Sequence, residues 1–263
     1  MNPVVLRLAE ISSTYRSGDQ SLPVLNNISL TVRAGEFVSL LGPSGSGKST
    51  ILKIAAGLLK PNQGRVIING REITRAAKVG YMPQQDLLFP WKTLLENCAL
   101  PLIARGINRS QAYEQVGELL EIFGLTGFKH YYPSQLSGGM KQRAALLRTV
   151  LIDSNLMLLD EPFAALDAIT RENLQEWLLG ILNKFKRSVL FVTHSIDEAI
   201  YLSDRIYMIS DRPGRIIMET QVELPRPRSR AVVTSPFFLK YKQALMDALA
   251  ASGSVNPEAG LNT

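Results

Sequence analysis

The chain has 263 residues, of which 46% are hydrophobic and 20% charged, with a formal net charge of +6. This composition is that of a globular protein with a sizeable core, and no run approaches the roughly 18 apolar residues that a membrane-spanning helix needs. One cysteine excludes an internal disulfide, and two histidines are too few for a multi-histidine metal site. No basic leader marks a signal peptide, and no basic stripe interleaved with aromatics points to nucleic acid. We therefore expect a protein that stays in the cytoplasm unless a partner holds it at a membrane.

The first part of the chain predicts β-strands. Residues 3–15 alternate in polarity, and residues 26–42 predict two strands joined by a turn at Ala34 and Gly35. A further strand is predicted in RVIING, which closes on Asn69-Gly70, a favourable hairpin turn.

Residues 42–50, GPSGSGKST, match the pattern G-x-x-x-x-G-K-[ST]. An apolar strand precedes the pattern and a helix over 49–59 is predicted after it, which is the context that the motif requires. Glycines let the backbone curl so that its N–H groups and the helix N-terminus cradle the β- and γ-phosphates. Lys48 adds a positive charge, and Ser49 can ligate Mg²⁺. A chance match is expected about once in a hundred chains of this length. The predicted nucleotide-binding residues here are Gly42, Pro43, Ser44, Gly45, Ser46, Gly47, Lys48, Ser49 and Thr50.

The middle of the chain, about residues 86–150, has mainly the pattern of helices. In residues 111–123, apolar side chains recur at i, i+3, i+4 and i+7 from Val116, which is one face of a helix. Ser110 is the predicted N-cap.

Two short apolar runs, LMLLD (156–160) and SVLFVTH (188–194), flank a predicted helix over 168–185. Buried parallel strands fit both runs, and the order strand, helix, strand predicts a right-handed βαβ unit. Asp160 would lie at the carboxyl edge of the sheet, where ligands bind, and would hold Mg²⁺ directly or through water. Glu161 would orient or deprotonate the attacking water. The alternative, an acidic pair that caps a helix, is disfavoured by the phosphate loop upstream.

The C-terminal part is rich in Pro and Arg, with RPGRI (212–216) and LPRPRSR (224–230) predicted to be extended. A last amphipathic helix is predicted around the apolar face of Phe238, Tyr241, Leu245 and Leu249. We divide the chain into residues 1–225, with a helical subdomain at about 86–150, and a C-terminal extension, 226–263. The extension could pack on the core, contact a second copy or regulate.

The stretch LSGGMKQR, residues 136–143, resembles the signature of the ATP-binding cassette (ABC) family. Ser137, Gly138 and Gly139 open a predicted helix, and a bare helix N-terminus favours an anion. In the family this tip reaches the γ-phosphate bound by the other subunit, so that two cassettes sandwich two ATP molecules head to tail. Met140 replaces the final glutamine of the signature; because the helix terminus does not depend on that side chain, we expect ATP binding to survive.

The resemblance covers roughly residues 4–220 and implies an α/β fold. It would be a P-loop NTPase (RecA-like) core with an N-terminal antiparallel β subdomain and an inserted helical subdomain. The resemblance also assigns roles to four further residues. Tyr15 matches the aromatic residue that stacks on adenine, and Gln84 matches the glutamine that contacts Mg²⁺ and water. Asp167 matches the residue that contacts the opposite subunit, and His194 matches the histidine at the γ-phosphate.

The resemblance also implies the catalytic and metal-binding sets. Gln84 is the glutamine that links the site to the transport partner; the adjacent Gln85 leaves the register open, and the spacing to Pro90-Trp91 favours Gln84. The implied catalytic residues are Glu161, His194 and Gln84. The implied Mg²⁺ ligands are Ser49, Gln84 and Asp160.

One phosphate loop, no long heptad repeat and no membrane span favour a separate importer subunit. A P-loop kinase, a DNA-repair or ribosomal ABC protein and a fused exporter fit less well; the remaining alternative is a soluble ABC ATPase not involved in transport. The implied ligands are ATP and Mg²⁺. The implied partners are a second copy, integral membrane permease subunits and, indirectly, a solute-binding protein, with no nucleic acid. The implied location is peripheral, on the cytoplasmic face of the cell membrane.

Three stretches resemble the nitrate, sulfonate, taurine and pyrimidine-precursor group of importer cassettes: LLFPWKTLLENCALPL (87–102), SDRPGRI and LPRPRSR. Beside Gln84, the side chains of Leu87, Leu88, Phe89 and Trp91 are predicted to form a groove for a short helix of the membrane subunit. Some of these residues are expected in the core, with Phe89 and Trp91 the best candidates for the exposed part. Which solute is transported stays open.

Overall fold

A computed structural model describes residues 2–18, 20–164 and 166–253 of the chain. In chain order, its strands are β1 (Val4–Ser17), β2 (Gln20–Arg33), β3 (Phe37–Leu41), β4 (Gln63–Ile68), β5 (Arg71–Ile73), β6 (Gly80–Met82), β7 (Leu156–Asp160), β8 (Ser188–Thr193), β9 (Arg205–Ile209) and β10 (Ile216–Gln221). Its α-helices are α1 (Lys48–Ala55), α2 (Leu94–Ala104), α3 (Arg109–Leu120), α4 (Gly138–Val150), α5 (Ala168–Phe185), α6 (Ile196–Leu202) and α7 (Pro236–Gly253). Within these described ranges, no helix is both long enough and apolar enough to cross a bilayer.

The chain folds into two compact units. The first is formed within Met1–Ala77 and Arg187–Thr263, and the second is Lys78–Lys186. The second unit extends beyond the predicted helical segment, 86–150, at both ends, because it also holds β6, β7 and α5.

The strands of the first unit pair in two separate sets. One sheet is antiparallel, in the order β2-β1-β4-β5, and β4 and β5 form the hairpin predicted at Asn69-Gly70, where both residues have positive φ. In the other set β3 pairs in parallel with β8 and with β9, and β10 pairs antiparallel with β9. Every residue of β3, β8 and β9 is buried. Because both faces of these strands are covered, their sequences are short apolar runs in which polar and apolar residues do not alternate.

Helix α1 ends earlier than the sequence predicted. The predicted helix ran over 49–59, whereas α1 stops at Ala55 and is followed by Gly57 at φ 69°. A side chain at Gly57 would collide with the carbonyl oxygen of Arg75, 2.2 Å from an ideal Cβ. The close approach of Arg75 leaves room only for glycine at this position, and the left-handed conformation that Gly57 adopts terminates the helix.

The second unit packs four helices with the parallel pair β6 and β7. Phe123 and Trp177 meet edge to face with ring centroids 5.1 Å apart, and Val116 is fully buried on the predicted face. The predicted N-cap of α3 is wrong: Asn108, not Ser110, has the extended backbone of a cap, and its side chain accepts the N–H of Gln111 at 2.9 Å.

The Pro-Arg segment after β10 is held against the first unit. Arg228 is buried and donates to the carbonyls of Ile200, Tyr201 and Ser203 through Nη1, and to two further carbonyls through Nη2. Burial lowers the pKa of Arg228 to about 10. The helix α7 that follows buries Phe238, as its pattern predicted. Residues 254–263 of the predicted extension lie outside the described part of the chain.

Candidate functional site

The phosphate loop lies between the end of β3 and the start of α1. Gly45 and Gly47 have φ of 81° and 98°, a backbone conformation that residues other than glycine rarely adopt. An ideal Cβ on Gly42 would lie 2.4 Å from Cγ2 of Ile209. The three glycines are thus required by backbone conformation or by space, which explains why the pattern contains them.

Inside the loop, Lys48 folds back across the turn. Its Nζ donates to the carbonyl oxygens of Gly42 at 2.8 Å and Pro43 at 2.6 Å. The N-cap of α1 is Gly47, which offers no side-chain oxygen to the first N–H groups of the helix. The buried hydroxyl of Ser46 has no hydrogen-bond partner among the described residues. A helix N-terminus without a side-chain cap, a buried ammonium and the Ser46 hydroxyl fit an oxyanion such as a nucleotide phosphate.

In the second unit, two carboxylates lie at the end of β7: Asp160 is its last residue, and Glu161 follows it directly. Asp160 is 3% exposed. Burial of the Tyr81 hydroxyl, together with the nearby negative charge of Asp160, raises the pKa of Tyr81 to about 12. Glu161 has φ 44°, a strained conformation for a residue with a side chain. Its Oε2 lies 3.4 Å from Nε2 of Gln84, which donates to it. The fold therefore brings together a buried acid, a strained acid and the predicted glutamine.

The signature stretch opens α4. Ser137 is the N-cap, and its Oγ accepts the N–H of Met140 at 3.3 Å. Asp167 caps α5 by accepting the N–H of Thr170 at 3.0 Å, and this hydrogen bond lowers the pKa of Asp167. A Cβ on Gly139 would lie 3.0 Å from Cγ2 of Thr170, so the two helix N-termini are close neighbours.

Tyr15 and His194 are both exposed side chains of the first unit. Tyr15 lies on β1, and His194 directly follows β8. The backbone around His194 is fixed, because Thr193 Oγ1 accepts the N–H of Ser195 at 3.0 Å and donates to Glu198 at 2.5 Å.

The segment after Gln84 is organised by a buried amide that sequence analysis missed. Asn97 on α2 is fully buried and donates to the carbonyls of Phe89, Lys92 and Thr93 at 3.0–3.1 Å. Its Oδ1 accepts the N–H of Phe89 at 2.7 Å. The signal that could have revealed it is a polar side chain within an otherwise apolar helix, LLENCALPLIA.

A second missed residue holds the start of the same segment. Arg148, near the end of α4, donates to the carbonyls of Asp86 at 2.6 Å and Leu87 at 2.8 Å. Leu88 is buried, whereas Leu87, Phe89 and Trp91 are exposed, Trp91 by 68%. The predicted mixture of core and exposed residues is therefore present.

A protein-family sequence model described as "ABC transporter" matches residues 25–164, which is more than half of the chain. The chain belongs to the ABC transporter family. The predicted fold class is confirmed by a solved structure of the ATP-binding cassette MJ0796, a dimer in a post-hydrolysis state bound to ADP and Pi. The two chains superpose with a TM-score of 0.73 and are 33% identical, and the match covers 84% of this chain and 100% of that one.

Curated relatives of this ABC protein are named as import proteins. The aliphatic sulfonates import ATP-binding protein SsuB of Bacillus cereus is 45% identical, covering 86% of this chain and 90% of the relative. The formylaminopyrimidine import ATP-binding protein ThiZ of Halalkalibacterium halodurans is 44% identical, covering 83% and 84%. The predicted resemblance to an importer group is thereby confirmed.

The motif residues of this ABC cassette are divided between its two units. The first holds the phosphate loop, Tyr15 and His194. The second holds Gln84 with Glu161, Asp160, the signature and Asp167. The individual roles assigned to these side chains stay predictions.

Replacing Asn97 with Ala is expected to lower the melting temperature by roughly 5 °C, because the variant loses a buried amide and its four hydrogen bonds to the backbone. Differential scanning fluorimetry measures the shift. Gln111→Ala, an exposed position on α3, is the matched control and is expected to change little. Equal melting temperatures for the two variants would contradict the organising role of Asn97.

Proposed function

We propose that this chain is the ATP-binding and ATP-hydrolysing subunit of an importer, which energises uptake of a small solute through separate membrane subunits. The observation that carries the proposal is the phosphate loop, with Lys48 folded inside it, in a chain whose curated relatives are named import ATP-binding proteins. The solute would be of the nitrate, sulfonate, taurine or pyrimidine-precursor type.

ATP would bind with its phosphates in the loop of residues 42–50. The helix N–H groups and the Ser46 hydroxyl would donate to phosphate oxygens, and Lys48 would exchange carbonyl partners for phosphate. Tyr15 is exposed on β1 and would stack on adenine.

Mg²⁺ would be held by Ser49, Gln84 and Asp160. These are hard oxygen donors of the kind Mg²⁺ prefers, and no cluster of three His, Cys, Asp or Glu residues in the described ranges offers an all-protein cage. The donor set therefore fits an ion shared with nucleotide phosphates. When bound, Mg²⁺ would neutralise charge on the transferring phosphoryl group.

Glu161 would act as the general base for the attacking water. Its strained backbone, at φ 44°, orients the carboxylate at the end of β7, and the hydrogen bond from Gln84 holds Oε2. His194, between two anchored neighbours, would contact the γ-phosphate.

The active unit would be a head-to-tail pair. Ser137, Gly138 and Gly139 form an exposed to half-exposed helix tip that would donate to the γ-phosphate of the opposite copy, and Asp167 would contact that copy as well. Binding of ATP between the copies would favour the closed arrangement, and hydrolysis would release it. The dimeric state of the related cassette MJ0796 supports this arrangement.

The exposed aromatic pair would dock the membrane subunit. Phe89 and Trp91 pack with ring centroids 5.2 Å apart, and together with Leu87 they present an apolar surface beside Gln84. Such a surface suits the apolar face of a short helix. This contact would keep the cassette on the cytoplasmic face of the membrane, and the permease subunits would connect it indirectly to a solute-binding protein.

Replacing Trp91 with Ala is expected to reduce solute transport at least fivefold, because aromatic anchors carry much of the energy of such interfaces. Basal ATP hydrolysis by the isolated chain should change less than twofold. Phe237→Ala removes an equally exposed aromatic side chain from α7 and is the control. Transport by the Trp91 variant at the level of the Phe237 variant would refute the docking role.

The proposed function is tested by co-expressing the chain with candidate permease subunits from the same genome. Uptake of a labelled sulfonate, nitrate, taurine or pyrimidine precursor into vesicles should require ATP and Mg²⁺ inside the compartment that holds the cassette. Failure of the chain to co-purify with those subunits, together with ATP hydrolysis that no solute stimulates, would favour the soluble ATPase instead.

A further inference from the structure

Between β9 and β10 the chain forms a hydrogen-bonded turn, residues 210–214 (SDRPG), which we call the SDRPG turn. The Ser210 N–H donates to the carbonyl of Arg215 at 2.9 Å, and Ser210 Oγ accepts the Arg215 N–H at 3.0 Å. Gly214 joins the turn to β2, because its N–H donates to Val24 O and its carbonyl accepts the Asn26 N–H, both at 2.9 Å. The proposed function assigns no role to this turn.

The SDRPG turn and the residue before it lie directly against the phosphate loop. Ile209 fills the space beside Gly42, because an ideal Cβ on Gly42 would lie only 2.4 Å from Cγ2 of Ile209. At the other end, a Cβ on Gly214 would lie 2.4 Å from the carbonyl oxygen of Ser46. Both contacts are too close for any side chain, so the two backbone segments fit each other along the length of the loop.

Between these contacts, Arg212 binds the loop directly. Its Nη2 and Nε donate to the carbonyl oxygen of Gly45 at 2.9 Å and 3.2 Å. Gly45 is the residue at φ 81° near the tip of the loop, and a carbonyl held by a guanidinium fork fixes the orientation of the adjoining peptide. The guanidinium also adds positive charge beside a loop built for anions.

We propose that the SDRPG turn is a template for the phosphate loop, and that Arg212 is a positioning residue that keeps Gly45 in the phosphate-binding conformation. The inference rests on the proposed function, since it assumes that the loop binds ATP. A loop that is held before the nucleotide arrives loses less conformational entropy on binding, and the affinity for both ATP and ADP rises accordingly.

The test compares Arg212→Ala with a control variant, Arg215→Ala. Arg215 is exposed just beyond the turn, and its replacement removes the same positive charge. Dissociation constants for ATP and ADP are measured on the full chain by isothermal titration calorimetry, together with KM and kcat for hydrolysis and the melting temperature without nucleotide. Arg212→Ala should weaken both nucleotides and raise KM about three- to tenfold. Its kcat at saturating ATP and its melting temperature should match those of Arg215→Ala.

Arg212→Lys separates positioning from simple charge. Lysine keeps the charge but lacks the planar fork, so its affinity should fall toward that of the alanine variant. Wild-type affinity for Arg212→Lys, or equal affinities for the Arg212 and Arg215 alanine variants, would overturn the inference while leaving the proposed function intact. Absence of ATP binding by the unaltered chain would instead overturn the proposed function, and this inference with it.

Discussion

Replacing Glu161 with Gln is expected to slow ATP hydrolysis by about two to four orders of magnitude, which is the usual contribution of a general base. Glutamine has the same shape but cannot accept the proton of the attacking water. ATP affinity should stay within about threefold of wild type, because Glu161 is not among the predicted phosphate donors. Phosphate release in single-turnover and steady-state assays measures the first effect, and equilibrium nucleotide binding the second.

The same variant should accumulate the closed pair. With binding intact and hydrolysis blocked, ATP continues to favour the closed arrangement, so a dimer should appear on size-exclusion chromatography only when ATP is present. Glu176→Gln, at an exposed position on α5, is the matched control and should hydrolyse ATP normally. A Glu161 variant that turns over as fast as this control would show that another group activates the water.

Replacing Lys48 with Ala is expected to weaken ATP binding by about a hundredfold. The variant loses a charge-assisted contact to phosphate, which is among the stronger single interactions in such sites. It also loses the hydrogen bonds from Nζ to the carbonyls of Gly42 and Pro43, which hold the loop before nucleotide binds. Isothermal titration calorimetry or displacement of a fluorescent ATP analogue measures the loss.

Lys53→Ala provides the control for charge and helix composition. Lys53 lies on the same helix, α1, but is exposed, whereas Lys48 is 5% exposed. The Lys53 variant should bind ATP with nearly wild-type affinity. Similar affinities for the two alanine variants would contradict the placement of the phosphates around Lys48, whatever the effect on hydrolysis.

Features that depend on a few consecutive residues were predicted well. The strand before the phosphate loop, the hairpin at Asn69-Gly70 and the helix over 168–185 all lie where the sequence placed them. Errors appeared where neighbouring residues compete for one role. Asn108 rather than Ser110 caps α3. Helix α1 ends before the predicted range of 49–59 is complete, because the close approach of the Arg75 backbone leaves room only for a glycine after the helix.

Features that depend on distant residues were not predicted. Arg212 and Gly45 are 167 positions apart, and Arg148 lies 61 or 62 positions from the carbonyls that it binds. Arg228 looked like part of an extended Pro-Arg segment, yet it is buried among five carbonyls. A long cationic side chain is compatible with many partners, and only folding selects one.

The amino-acid sequence alone thus determined the chemistry that this chain offers: a phosphate loop, a strand ending in two acids and a glycine-rich helix tip, each encoded by adjacent residues whose backbone needs are local. The tertiary structure decided which buried amide and which arginines hold those parts in place. It did so because their hydrogen-bond partners are backbone carbonyls, which every residue carries and which no sequence pattern can mark.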